Sequence, residues 1–246
     1  RIVMIDKFEL EIIPEKNIIV LGEDQKVYFQ QLKATLDILG FASPTPIHYS
    51  FVLLTDGKMS TRKGNVVLLE DFMKEAINKA NEEIKKRYEK ADMQTAKMIA
   101  YGAVKYAILK VSNEKNVVFD LDSALNFEGD TGPYLLYSYA RARSILKKAK
   151  YRSKKFTNKG ISQKEKQLII KIGDFQDIVA HAYSTFSPNL IANYAFELAQ
   201  NFNEFYHACP VIGSENEDFR LCLVDASSQV LKNALSLLGI EVIEKM

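Results

Sequence analysis

Lys58-Met59-Ser60-Thr61-Arg62-Lys63-Gly64-Asn65 sets three cations and two hydroxyls between Gly57 and Asn65. A glycine-flanked loop of that kind suits a polyphosphate, because the cations offset its charge and mobile backbone can close around it. The plain alternative is a solvated basic loop. A second basic stretch runs from Arg141 to Lys166, where Arg141, Arg143, Lys147, Lys148, Lys150, Arg152, Lys154, Lys155, Lys159, Lys164 and Lys166 face one acid, Glu165. Such a cluster attracts phosphates, unless it is only a solvated linker and helix surface. Within it Tyr137, Arg141, Ser144 and Lys148 are spaced 4, 3 and 4, so they share one helix face. The opposite stripe, Leu135, Tyr139, Ala142, Ile145, Leu146 and Ala149, reads as core. His181 and His207 read as ordinary helix residues, since neither has a nucleophile or metal partner nearby in sequence.

These residues need elements to position them. Ile18-Ile19-Val20-Leu21 is an apolar run ending in Gly22-Glu23-Asp24-Gln25. A helical pattern follows, with Phe29, Leu32, Leu36 and Leu39 on one face and Gly40 as its stop. The next extended run is Tyr49 to Leu54, which makes a strand, helix and strand of parallel type. Ligands in open α/β sheets sit beyond the carboxyl ends of strands, and both Gly22–Gln25 and Asp56–Asn65 fall at such ends. From Leu69 onward the periodicity predicts helices over about 70–88, 94–111, 133–150, 164–184, 189–207 and 217–238. Asn116–Asp120 reads as extended and 151–163 as a loop. Asp130-Thr131 before Gly132-Pro133, and Ser187 before Pro188, predict capped starts, and Gly239 closes the last helix.

Composition narrows the class. With 246 residues, 47% apolar and 26% charged, the chain reads as soluble and globular, and its net charge of +2 implies no partner by itself. No apolar run reaches the roughly 20 residues of a membrane helix, and no signal peptide is visible. Cys209 and Cys222 form neither a disulfide framework nor a metal motif, so a reduced cytoplasmic setting and no metal site are expected.

Several strings agree on one resemblance. The loop ending Ser60-Thr61-Arg62-Lys63-Gly64-Asn65 is similar to the second signature loop of class I aminoacyl-tRNA synthetases, in its arginyl version. Val20 to Gln25 with Phe29-Gln30-Gln31-Leu32 resembles that family's strand-to-helix turn after the amino-acid pocket. Phe127-Glu128-Gly129-Asp130-Thr131-Gly132-Pro133-Tyr134-Leu135 through Arg143 resembles the start of its anticodon-binding domain. Asn193 to His207 and Val230 to Met246 match that domain's later helices. No His-x-Gly-His string occurs, since the histidines are His48, His181 and His207, and Lys26 stands where the family commonly has histidine.

The resemblance implies a mainly α chain. A truncated, Rossmann-like α/β piece of the catalytic domain with its helical connection would cover 1–126, and a helical-bundle anticodon-binding domain 127–246. It implies arginine–tRNA ligation with ATP and Mg2+ as substrate, L-arginine and arginine tRNA as partners, no tightly bound cofactor and no membrane. A fragment lacking the first ATP motif should bind tRNA without catalysing alone. The other reading is a non-catalytic RNA-binding or protein-interaction module derived from a synthetase. Lys58 would meet the leaving pyrophosphate with Ser60 and Lys63 as secondary contacts, and Met59 would lie near the adenine. Asp24 and Gln25 would face the adenylate, although Gln25 equally suits a helix start bonding local backbone. Arg141 and Lys148, with Tyr137 on their face, would contact tRNA phosphates. Tyr206 would stack an anticodon base or extend the Phe202–Phe205 core stripe, and Met246 would approach the anticodon loop.

Overall fold

The computed structural model describes residues 17–54, 68–87, 92–152 and 160–244. Lys58, Met59, Ser60, Lys63 and Met246 lie outside the described residues. The chain divides into two compact units, Arg1–Phe51 and Val52–Met246.

In the first unit, β1 (Ile18–Gly22) leads through a 3-10 turn (Glu23–Gln25) into α1 (Lys26–Ile38), and β2 (Thr45–Tyr49) returns. The strands pair in parallel, Ile18 opposite Thr45 through Gly22 opposite Tyr49. The expected strand–helix–strand unit is present, but its second strand lies earlier than the Tyr49–Leu54 run predicted. Pro46 hides that strand in the sequence, because proline lacks the N–H of a ladder donor and is confined to sheet edges. Ser50 ends it: the side chain is buried and donates to Glu23 Oε2 at 2.6 Å, tying the ends of the two strands. Phe29 is the buried residue of α1 and meets the His48 ring edge-on at 6.2 Å.

The second unit begins with β3 (Val52–Leu54), paired in parallel with β4 (Val117–Phe119). Its helices are α2 (Leu69–Arg87), α3 (Met93–Leu109), α4 (Leu121–Ala124), α5 (Gly132–Lys148), α6 (Gln163–Gly173), α7 (Phe175–Thr185), α8 (Pro188–Ala208) and α9 (Glu217–Leu237). The predicted 164–184 helix is therefore two. The chain turns at Asp174, which caps one and opens the other in a right-handed conformation, so the helical periodicity never breaks. The short α4 was not predicted; Asp120 starts it by accepting Ser123 N–H at 2.6 Å.

Side-chain caps fix the starts of α3, α5 and α6 as well. Asp92 accepts from Gln94 and Thr95, Thr131 from Tyr134, and Ser162 with Glu165 forms a reciprocal capping box. Ser187 departs from expectation: its hydroxyl donates back to the Thr185 carbonyl at 3.1 Å and caps nothing. The Leu190 N–H that such a cap would have served goes instead to the Ser187 carbonyl at 3.1 Å.

One apolar core joins these helices. Ala76, Ala80, Ile99 and Ala103 from α2 and α3 share it with Leu135 and Leu136 of α5, Leu198 and Phe202 of α8 and Leu235 of α9. It thus continues across residues 126 and 127. Gly132 permits the closest approach, since a Cβ there would lie 2.6 Å from the Gly102 carbonyl oxygen. Cys209 is buried, Cys222 is half-buried, and both are free thiols.

Candidate nucleic-acid interface

Helix α5 turns Leu135, Tyr139, Ala142, Ile145 and Leu146 into the core, as its periodicity required. That leaves Tyr137 and Arg141 half-buried and Ser144 and Lys148 exposed on the other side. Helix α8 buries Ile191, Tyr194, Leu198, Phe202 and Phe205. Its stripe then continues to buried Cys209, four residues past Phe205, so Tyr206 falls beside the stripe rather than on it. Tyr206 is 38% exposed, which excludes the core alternative.

A groove of about 670 Å3 opens here, lined by residues including Phe127, Tyr134, Tyr137, Arg141, Asn203 and His207. The Arg141 guanidinium carbon lies 4.6 Å from the Tyr137 ring centre and 5.6 Å from that of Tyr206. At these distances the ring faces attract the cation. Arg141 Nη1 donates to Asn203 Oδ1 at 2.7 Å, and Nη2 donates to the Tyr137 hydroxyl at 2.9 Å. Asn203 Nδ2 donates to the Tyr134 hydroxyl and to Ser138 Oγ, each at 2.9 Å. At the rim, Arg87 covers the Phe127 ring at 4.6 Å and pairs with Glu83 at 2.8 Å. Lys164 pairs with Glu204 at 2.6 Å. Cations and aromatic faces side by side are what a single-stranded nucleic acid requires, namely charge for its phosphates and flat surfaces for unstacked bases.

Lys148 is not part of this groove. It belongs with Arg143, Lys147, Lys150, Asp225 and Glu244 to a second hollow of about 790 Å3 at the end of α5. Arg143 pairs with Glu244 at 2.9 Å, and the Tyr139 hydroxyl donates to the same carboxylate at 2.7 Å. The Tyr139 bond, and then Arg143, hold Glu244 below the usual carboxylate range; burial and that carboxylate push the Tyr139 hydroxyl up to about 12. Lys147, Lys148 and Lys150 are exposed and have no ion pair among the described residues. Cations at that end also complement the last carbonyls of the helix.

Asp24 and Gln25 lie in the first unit, exposed at the carboxyl end of β1. Gln25 Nε2 donates to Asp24 Oδ2 at 3.2 Å and forms no side-chain cap for α1. Gly22 leaves room for Asp24 to fold back, since a Cβ there would meet its Oδ1 at 2.5 Å. Of the residues singled out in the sequence, the structure brings together Tyr137, Arg141 and Tyr206.

Residues 4–121 match the family model for the catalytic domain of class I tRNA synthetases of the arginyl type, and residues 135–246 match that of the DALR anticodon binding domain. The chain belongs to the arginyl-tRNA synthetase family. It is similar to the arginine–tRNA ligase of Clostridium acetobutylicum, 39% identical over 241 residues, which span 94% of this chain and 43% of that protein. The Streptococcus pneumoniae enzyme is 42% identical over 238 residues, covering 94% of this chain and 42% of its own length. The chain therefore spans less than half the length of these relatives. Among solved structures, the Thermus thermophilus arginyl-tRNA synthetase matches 94% of this chain and 41% of its own, with a TM-score of 0.83 at 30% identity. The Plasmodium falciparum arginyl-tRNA synthetase matches 93% of this chain and 41% of its own, with a TM-score of 0.78 at 26% identity. Tyr137, Arg141, Asn203 and His207 of the groove lie in the part of the chain that matches the anticodon-binding model, whereas Phe127 and Tyr134 precede it and Arg87 falls in the catalytic-domain match.

Tyr134, Ser138 and Asn203 were not singled out from the sequence as site residues. Their signal is there: Tyr134, Ser138 and Arg141 recur at spacings of 4 and 3, and Asn203 interrupts an apolar stripe beside Phe202. A buried asparagine needs partners, and these are the ones it finds.

Proposed function

We propose that this chain carries the anticodon-binding part of an arginine–tRNA ligase, together with part of the catalytic domain that joins arginine to its tRNA at the expense of ATP. The observation that supports it best is Arg141 set close to both Tyr137 and Tyr206 beside the groove, all three residues in the region matching the anticodon-binding model. In this reading an unpaired anticodon base stacks on the exposed face of Tyr206, and Arg141 with Tyr137 meets its edge or the adjoining phosphate. Lys148, with Lys147 and Lys150, follows the phosphate backbone outside the groove. Met246 approaches the same loop.

The signature loop would serve the chemistry. Lys58 neutralises charge on the departing pyrophosphate, Ser60 and Lys63 assist, Met59 lies by the adenine, and Asp24 and Gln25 face the adenylate. Mg2+ arrives with ATP, held chiefly by phosphate oxygens. Among the described residues there is no cluster of three His, Cys, Asp or Glu side chains that could hold a metal. We assign 1–126 to the catalytic part and 127–246 to anticodon binding. The cytoplasm is the expected setting, and no helix among the described residues is long and apolar enough to cross a membrane.

Fluorescence anisotropy with arginine tRNA and with a tRNA of altered anticodon tests this at fixed salt. Tighter binding of the arginine tRNA supports it, and equal affinity for the two overturns it.

A further inference from the structure

Asn203 sits under the groove, 8% exposed, and its amide is fully committed. Ser138, itself fully buried, has one hydroxyl proton, and that proton goes to the Tyr134 carbonyl at 2.8 Å. Toward Asn203, Ser138 Oγ can therefore only accept. That places the amide nitrogen on the Ser138 side and the amide oxygen on the Arg141 side, where it accepts Nη1–H at 2.7 Å. The second Nδ2 proton goes to the Tyr134 hydroxyl at 2.9 Å, so that oxygen accepts inward and its own proton is left for a partner other than Asn203. The Tyr137 hydroxyl is in the same position, because it accepts Arg141 Nη2–H at 2.9 Å and keeps its proton for the groove.

We infer that Asn203 is a positioning residue that fixes the hydrogen-bond polarity of this groove. The chain of bonds from the Tyr134 carbonyl through Ser138 and Asn203 leaves the groove floor rich in donors: two tyrosine O–H groups whose oxygens each already accept one bond, and the remaining N–H groups of Arg141. Such a floor favours a base that turns its acceptor atoms toward it over one that turns amino or imino N–H groups toward it, because a donor facing a donor makes no bond. Selection thus rests on a residue that itself touches no ligand. This inference rests on the anticodon reading above and adds to it the source of the discrimination.

Asn203→Asp separates polarity from packing. The side chain keeps its shape and gains a charged partner for Arg141, while Ser138 must turn its proton from the Tyr134 carbonyl to the new carboxylate. A carboxylate has no proton to give, so it recruits the Tyr134 hydroxyl inward and partly neutralises Arg141. Anisotropy titrations on the 246-residue chain use two RNA hairpins, one with the arginine anticodon loop and one with the anticodon bases replaced. With melting temperature unchanged within a few degrees, we expect discrimination between the hairpins to fall about tenfold in Asn203→Asp. Tyr134→Phe removes the outward donor alone and should lower discrimination in the same direction, which serves if Asn203→Asp does not fold. Undiminished discrimination in a folded Asn203→Asp, or in Tyr134→Phe should the first not fold, overturns the inference alone. Equal binding of both hairpins by the unchanged protein overturns the anticodon reading and the inference with it.

Discussion

Arg220 Nε donates to Oε1 of Glu165 at 2.7 Å, and the carboxylate it meets is completely buried. The second carboxylate oxygen accepts the Ser162 backbone N–H at 2.6 Å, and Arg220 Nη1 donates to the Pro210 carbonyl at 2.6 Å. Ser162 Oγ also contacts Cys209 Sγ at 3.4 Å. One ion pair thus joins the start of α6, the turn after α8 and the first turns of α9. Burial raises the Glu165 carboxyl, but the Ser162 bond and Arg220 outweigh it and hold the group below its ordinary value.

Removing one partner leaves a buried charge, so Arg220→Ala should cost about 3–5 kcal/mol of stability. Denaturant unfolding followed by far-UV circular dichroism checks this, and a cost below about 1 kcal/mol would show that Glu165 finds other partners. The pH dependence follows from the depressed carboxyl. Its contribution is complete above the ordinary value of 4.5 and is lost as pH falls through the lower folded value. Arg220→Ala should therefore flatten the acid limb of the stability curve.

Tyr206→Ala should weaken tRNA binding by about 1–3 kcal/mol, the usual worth of one stacked base, while Tyr206→Phe retains most of it. Because Tyr206 is largely outside the core, the melting temperature of either variant should stay close to that of the unchanged chain. Isothermal titration with arginine tRNA distinguishes these outcomes.

Lys148 and Arg141 share a helix face, yet they occupy different hollows. Lys148→Ala should weaken cognate and altered tRNAs alike and reduce the slope of log Kd against log salt by about one unit. Arg141→Ala should do more harm to the cognate tRNA. Titrations at three or more salt concentrations give both slopes.

The purified chain should form no arginyl-adenylate, because no His-x-Gly-His string accompanies the signature loop within it. Arginine-dependent release of AMP at an appreciable rate would refute this. In a full-length relative, the lysine equivalent to Lys58 changed to alanine should lower kcat by about two orders of magnitude with little effect on tRNA affinity. An unchanged rate there would shift the role to the position of Lys63 or beyond.

Helices were legible because their apolar faces repeat at helical spacing, as in Leu135, Tyr139, Ala142 and Ile145. The turn at Asp174 was not, since Leu168, Ile172, Phe175 and Ile178 keep a helical pattern through it and Gly173 is the one break signal there, with no proline beside it. The second strand was misplaced because the Tyr49–Leu54 run is apolar on both sides of buried Ser50, whose hydrogen bond to Glu23 is a tertiary fact. In the groove, the sequence placed Tyr137 and Arg141 on one face of a helix. It could not bring Tyr206 or Asn203 to them, because those residues arrive from a helix more than sixty positions later and only packing sets which turn meets which.

In the proposed complex the anticodon loop lies in the groove between α5 and α8. Arginine tRNA carrying a photoactivatable base at one anticodon position, crosslinked to the chain and mapped by peptide mass spectrometry, tests this directly. The account predicts adducts on the peptides bearing Tyr134–Arg141 and Asn203–His207, abolished by excess unmodified arginine tRNA. Adducts confined to residues 17–54, or scattered over the basic surface and insensitive to that competitor, would contradict it.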